Sequence, residues 1–150
     1  MKRALLIDAL NMYYRAYIVD PTLSPNGDPV GGVAGFLKIL QKLIRETKPD
    51  QIVVAWDGAG GSKRRRTINK NYKEGRKPIR LNRTVENLNE QEEYENKIWQ
   101  QTRLIQYMNE MPICQIMIPS IEADDVIAHI TGMPQLKNTQ KVIISSDKDF

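Results

Sequence analysis

The chain has 150 residues, 41% of them hydrophobic, and carries 22 lysines and arginines against 18 aspartates and glutamates, a net charge of +4. That length buries one sizeable core and falls short of two ordinary domains, so a single domain over residues 1–150 is expected. No apolar stretch approaches a membrane span, Met1-Lys2-Arg3 leads into only a few apolar residues before Asp8, and the single cysteine, Cys114, can form no internal disulfide. A soluble, cytoplasmic protein without membrane contact, and without a Cys/His cluster for zinc, is therefore expected.

In chain order, Ala4-Leu5-Leu6-Ile7 reads as a buried strand closed by Asp8, and the tyrosines that follow, Tyr13, Tyr14 and Tyr17, are expected to pack. A loop rich in breakers comes next, with Pro21, Pro25, Asn26-Gly27, Pro29 and Gly31-Gly32. Val33, Phe36, Leu37, Leu40, Leu43 and Ile44 then recur at helical spacing and stop at Thr47-Lys48-Pro49-Asp50. A second strand, Ile52 to Trp56, closes on Asp57, which completes a βαβ unit. Further on, Tyr94, Ile98, Ile105 and Met108 mark one face of a helix that ends near Met111-Pro112. Ile113 to Ile118 reads as a strand with Cys114 as a buried core thiol, His129 as a partly buried packing residue on the next helix, and Val142-Ile143-Ile144 as the last strand. Strands alternating with helices predict an α/β fold around a mainly parallel sheet.

The charged residues are unevenly placed. Between Lys63 and Arg83 stand ten basic residues against one acid, Glu74, so the rest of the chain is net acidic. A basic run of this kind holds a polyanion, nucleic acid above all, or is simply a solvated loop. The acids gather elsewhere: Asp8 and Asp57 at strand ends, Glu122-Ala123-Asp124-Asp125 at a helix start, and Asp147 with Asp149 after the last strand. Ligands of open α/β sheets lie beyond the carboxyl ends of the strands, so these segments point into one crevice. Taken singly, each acid also fits a cap or a turn. Together they repel one another unless a cation sits among them, and an oxygen-only donor set favours Mg²⁺ or Mn²⁺.

At these residues the chain resembles the 5′-3′ exonuclease and flap endonuclease family, which includes the 5′-nuclease domains of bacterial DNA polymerases and their phage counterparts. The resemblance rests on Leu6-Ile7-Asp8-Ala9, Ala55-Trp56-Asp57-Gly58, Tyr72-Lys73-Glu74-Gly75-Arg76-Lys77-Pro78, Glu122-Ala123-Asp124-Asp125-Val126-Ile127 and Ser146-Asp147-Lys148-Asp149, in family order. It implies a three-layer PIN-like α/β domain with a basic helical-arch insertion over about residues 62–95. It also implies two Mg²⁺ (or Mn²⁺) ions held by Asp8, Asp57, Glu122, Asp124, Asp125, Asp147 and Asp149, and hydrolysis that leaves a 5′-phosphate and a 3′-hydroxyl. Lys73 and Arg76 match residues that contact the scissile phosphate and act in catalysis with Asp8 and Asp57, and Tyr72 matches one that stacks on a base. Arg65 and Arg66 are further candidates for the nucleic-acid backbone, with a looser family counterpart, and an aromatic ring among cations is the combination that holds single strands.

The implied substrate is DNA with a 5′ single-stranded end or flap, and RNA of RNA–DNA hybrids beside it, in replication, repair and primer removal. The family continues beyond the position of Phe150 into further strands, two more metal-binding aspartates and a helix-hairpin-helix element. A C-terminal segment or a second polypeptide is therefore an expected partner, and a binding module without catalysis and a PIN-type ribonuclease are the alternatives.

Overall fold

The computed structural model of the chain describes residues 1–59, 80–81 and 88–145. Strands β1 (Lys2–Asp8), β2 (Gln51–Trp56), β3 (Cys114–Met117) and β4 (Thr139–Ile144) form one sheet in the order β3-β2-β1-β4. Every pair is parallel: Leu6 of β1 stands opposite Val53 on one side and Ile143 on the other, and Val54 stands opposite Gln115. The helices are α1 (Ala9–Val19), α2 (Gly31–Thr47), α3 (Glu90–Asn109) and α4 (Ala123–Thr131), with a 3-10 turn at Pro134–Leu136. Among the described residues no helix is long and apolar enough to cross a membrane.

The described residues fall into two compact units, one of 1–11, 47–59 and 112–145, the other of 12–46, 80–81 and 88–111. The first contains the sheet and α4. β1 lies in its middle and buries Ala4 to Ile7 completely, as an apolar run covered on both faces requires. Ala123, Val126, Ile127 and Ile130 recur at helical spacing on α4 and pack against Ala4, Leu6 and Ala55 of the sheet. Trp56 is buried as expected, its indole N–H donating to Gln115 Oε1 at 2.9 Å.

Two expectations about this unit fail. Cys114 is exposed rather than a core thiol, because among the described residues β3 is an edge strand. His129 is likewise exposed, on the side of α4 away from the apolar row.

The second unit holds α1 from Met12, most of α2, and α3. Tyr13 and Tyr17 are fully buried, and their hydroxyls donate to the backbone carbonyls of Lys97 and Glu93 on α3. The apolar spacing on α3 holds only toward its C-terminal end, where Met108 is buried and Ile105 half-buried. Tyr94 and Ile98 are 55% and 45% exposed, and Glu93, Gln100 and Leu104 are buried instead. Polar groups can take the inner face because each finds a partner there: Gln100 Oε1 accepts from the Val33 amide at 3.1 Å, and its Nε2 donates to Asn96 Oδ1 at 2.7 Å. The helix begins with a capping box in which Asn89 and Glu92 exchange side-chain and backbone bonds. The expected arch over about 62–95 lies for the most part outside the described residues, and its last residues, from Glu90, belong to α3.

Candidate active site

Strand periodicity decides which side chains can meet. Ala4 and Leu6 of β1 pack against α4 and Asp8 follows at the same spacing; Val53 and Ala55 of β2 do so and Asp57 follows; Ile143 of β4 does so and Ser145 follows. Three neighbouring strands thus end in polar residues on the α4 side of the sheet. The chain runs from β1 outward to β2 and β3 and returns to β4 on the other flank of β1, so the boundary between β1 and β4 is a topological switch point.

Hydrogen bonds orient these groups. The Ser145 hydroxyl donates to Asp8 Oδ2 at 3.3 Å, and the Asn11 amide donates to the same carboxylate from the first turn of α1. Asp57 Oδ1 accepts from the Ala123 amide at 2.7 Å, at the first residue of α4. Capping and site-building are therefore one arrangement here, since the helix starts that satisfy Asp8 and Asp57 also aim them.

Asp8 is half-buried, and its carboxyl is pushed up to about 6 from an ordinary 3.8. Burial is the larger cause, the charge of Asp57 the next, and Asp124 adds in the same direction against the bonds from Asn11 and Ser145. Burial and neighbouring negative charge outweigh two hydrogen bonds that favour the carboxylate.

The acid motif sits at the start of α4 as expected, but its members diverge. Glu122 is 5% exposed and stands just ahead of the helix with extended backbone (φ −81°, ψ 155°), Asp124 is half-buried, and Asp125 is exposed. Glu122 is the cap residue ahead of the helix, and its carbonyl accepts the Asp125 amide at 3.1 Å.

A second set of bonds places this motif beside Asp57. The Gly58 amide donates to the Ile121 carbonyl at 2.9 Å, and the Ser120 amide donates to the Ala59 carbonyl at 3.0 Å. The loop before α4 is thereby laced to the end of β2. The approach is too close for a side chain: a Cβ on Gly58 would lie 1.8 Å from the Ile118 carbonyl oxygen.

The arrangement brings Asp57 and Asp124 near enough to Asp8 for their charges to raise its carboxyl, with Glu122 at the same helix start. Among the described residues no group of three His, Cys, Asp or Glu is close enough to hold a metal ion by itself. Asp147 and Asp149, and the substrate candidates Arg65, Arg66, Tyr72, Lys73 and Arg76, lie outside the described residues. The chemistry of the donor set nevertheless suits a hard divalent cation, since it offers only carboxylate oxygens whose mutual repulsion such an ion would relieve. Sequence reasoning missed Ser145 and the structural need for Gly58. Ser145 was legible in the spacing Ile143-Ser145, which continues the period of two that marked Asp8 and Asp57.

A parallel α/β sheet with acids at the carboxyl ends of its strands and a switch point beside its central strand defines the class. Residues 3–150 match the family described as 5′-3′ exonuclease, N-terminal resolvase-like domain, and the chain belongs to that family. It is 33% identical over 150 residues to DNA polymerase I of Caldicellulosiruptor bescii, covering 98% of this chain and 16% of the polymerase. It is 30% identical over 155 residues to a 5′-3′ exonuclease of Aquifex aeolicus, covering all of this chain and 47% of that protein. The chain thus spans less than half the length of either relative. Its fold is that of a bacteriophage T5 flap endonuclease solved in complex with DNA and metal ions, with a TM-score of 0.66, 14% identity, 98% of this chain covered and 50% of the other. A T5 5′-exonuclease with bound zinc is similar at a TM-score of 0.62, with 15% identity, 98% of this chain covered and 49% of the other.

Proposed function

We propose that this chain is the catalytic N-terminal part of a divalent-metal-dependent 5′-nuclease that hydrolyses DNA phosphodiesters at 5′ ends or 5′ flaps, as in replication, repair and primer removal. The observation that carries the reading is Asp8, held at the switch point by Asn11 and Ser145 and forced upward to about 6 by burial and by Asp57 and Asp124. A site that concentrates negative charge suits a cation. The relatives named as 5′-3′ exonucleases, and the neighbour solved with DNA and metal ions, support the same reading.

Asp8, Asp57, Glu122 and Asp124 would hold Mg²⁺ or Mn²⁺, with Asp125, Asp147 and Asp149 completing the set. When bound, such ions supply a water of lowered pKa and neutralise charge on the phosphoryl oxygens. The chain's own part is orientation: α1 and Ser145 fix Asp8, and α4 fixes Asp57. Lys73 and Arg76 bind the scissile phosphate and offset its developing charge, Tyr72 stacks on a base, and Arg65 and Arg66 follow the strand. Water adds to phosphorus as the bond to the 3′ oxygen breaks, leaving a 5′-phosphate and a 3′-hydroxyl.

The deciding experiment is a cleavage assay of the full-length protein on a 5′-flap duplex with and without Mg²⁺, beside a single-stranded RNA. Asp124→Asn is expected to keep DNA affinity while cleavage falls roughly 100-fold or more; undiminished cleavage removes Asp124 from the mechanism. A second reading, single-strand binding without cleavage, rests on the basic run between Lys63 and Arg83. Flap cleavage that depends on Mg²⁺ excludes it.

Lys73→Ala addresses the basic segment. Each phosphate contact releases counterions, so the slope of log affinity against log salt should become shallower by roughly 0.7 to 0.9, with slower cleavage. An unchanged slope would return Lys73 to the solvated-loop reading.

A further inference from the structure

By sequence, the ten cations between Lys63 and Arg83 look alike, each available to a phosphate. Arg80 is spent differently. Its guanidinium forks onto Glu93, Nε donating to Oε2 and Nη2 to Oε1 at 3.0 Å, while Nη1 donates to Glu90 Oε1 at 3.0 Å. Three of its five N–H donors are thus committed to carboxylates of α3. Glu93 is only 6% exposed. Its carboxylate also accepts the Leu81 amide, its backbone carbonyl accepts the Tyr17 hydroxyl at 3.1 Å, and the Leu81 side chain, next to Arg80 in sequence, is buried. The Arg80 guanidinium holds the Glu93 carboxyl below the usual carboxylate range against the opposing effect of burial.

A bidentate fork onto a buried carboxylate is specific in direction as well as charge, and removing the arginine leaves the buried Glu93 carboxylate without its charge partner. The fork fixes residues 80–81, which lie four residues and more downstream of Arg76 on the same chain. We propose that Arg80 is a positioning residue of the nuclease: anchored on Glu93, it fixes residues 80–81, the point at which the basic segment joins α3, and it contacts no phosphate itself. The proposal rests on the function proposed above.

The test uses the full-length enzyme with Arg80→Ala, Arg80→Lys, Glu93→Gln and the Arg80→Ala/Glu93→Gln pair. Three quantities are read on a 5′-flap duplex: the single-turnover rate at saturating DNA with Mg²⁺, the salt slope of binding without divalent ions, and the melting temperature. Each single variant should slow cleavage about tenfold, and the pair should be no slower than its worse member, as expected of residues acting as a unit. The salt slope should stay at the wild-type value throughout. Arg80→Lys should be slow too, because lysine keeps the charge and loses the fork.

A slope shallower by roughly 0.7 to 0.9 in Arg80→Ala would make Arg80 a phosphate contact and overturn the proposal. Additive losses in the pair, or a wild-type rate alongside a lowered melting temperature, would overturn it as well, the latter by making the fork purely structural. A wild-type enzyme that leaves the flap intact sinks the nuclease reading instead; the salt slopes, and the coupling between Arg80 and Glu93 in melting, still decide whether Arg80 serves Glu93 or a phosphate.

Discussion

Asp8→Asn should make the metal-free protein more stable at neutral pH while abolishing its Mg²⁺-dependent cleavage. In the folded chain the Asp8 carboxyl titrates at about 6, against an ordinary 3.8 in the unfolded chain, so folding favours its protonated form. Below about pH 4 the group is neutral in both states and imposes no cost. As pH rises toward 6 the unfolded chain releases the proton and the folded chain retains it, and stability is progressively lost; above 6 the loss is complete. The asparagine is neutral throughout and can still accept from the Asn11 amide and the Ser145 hydroxyl. After discounting for partial solvent exposure, the variant should gain about 1 to 2 kcal/mol at neutral pH, or roughly 3 to 6 °C in melting temperature. The gain should vanish near pH 4. Adding Mg²⁺ should raise the melting temperature of the wild type far more than that of the variant, since an ion binding only the folded state stabilises it by mass action. A variant less stable than wild type at neutral pH would mean that Asp8 acts as a structural cap and carries no repulsive strain.

That trade between stability and activity bears on what could be read from the sequence. The sheet was legible because β1 and β2 are covered on both faces and leave unbroken apolar runs, and Asp8 and Asp57 stood out as the charges that end them. Less legible was α1, which starts directly after Asp8 and buries Tyr13 and Tyr17, residues whose hydroxyls need partners that only α3 supplies. On α3 the apolar spacing pointed to Tyr94 and Ile98, while the inner face is held by Glu93 and Gln100. Periodicity records transfer from water and is blind to a polar side chain whose bonds are satisfied inside. Cys114 failed on the opposite ground, since an apolar run cannot say whether its strand lies at the centre or the edge of a sheet. The acids of the site were found by chemistry, whereas the need for Gly58 came into view only with the loop bonds, and Ser145, though in step with the period of two, gained its role only from its bond to Asp8.

Gly58→Ala should cost about 3 kcal/mol of stability and remove most cleavage, although the substitution adds a single methyl group far smaller than any group in the reaction. The new Cβ would meet the Ile118 carbonyl oxygen at 1.8 Å and its carbon at 2.6 Å, with Pro119 Cα at 3.0 Å, and all three are backbone atoms that no rotamer change can move. Relief requires the loop from Ile118 to Ile121 to swing away from the end of β2. The bonds from the Gly58 amide to Ile121 and from the Ser120 amide to Ala59 would stretch or break, and Ser120, already at φ 64°, has little backbone freedom with which to absorb the shift. Glu122 and the Ala123 amide follow immediately on that loop, so the bond that aims Asp57 would lengthen with it. Cleavage should consequently fall by more than the folded fraction alone explains, because a displacement on the order of 1 Å among catalytic groups costs roughly 100-fold. Thermal melts and single-turnover cleavage at a temperature where the variant is fully folded separate the two effects. A Gly58→Ala protein that melts with the wild type and cuts at the wild-type rate would show that the loop before α4 lies farther from β2 than these bonds require.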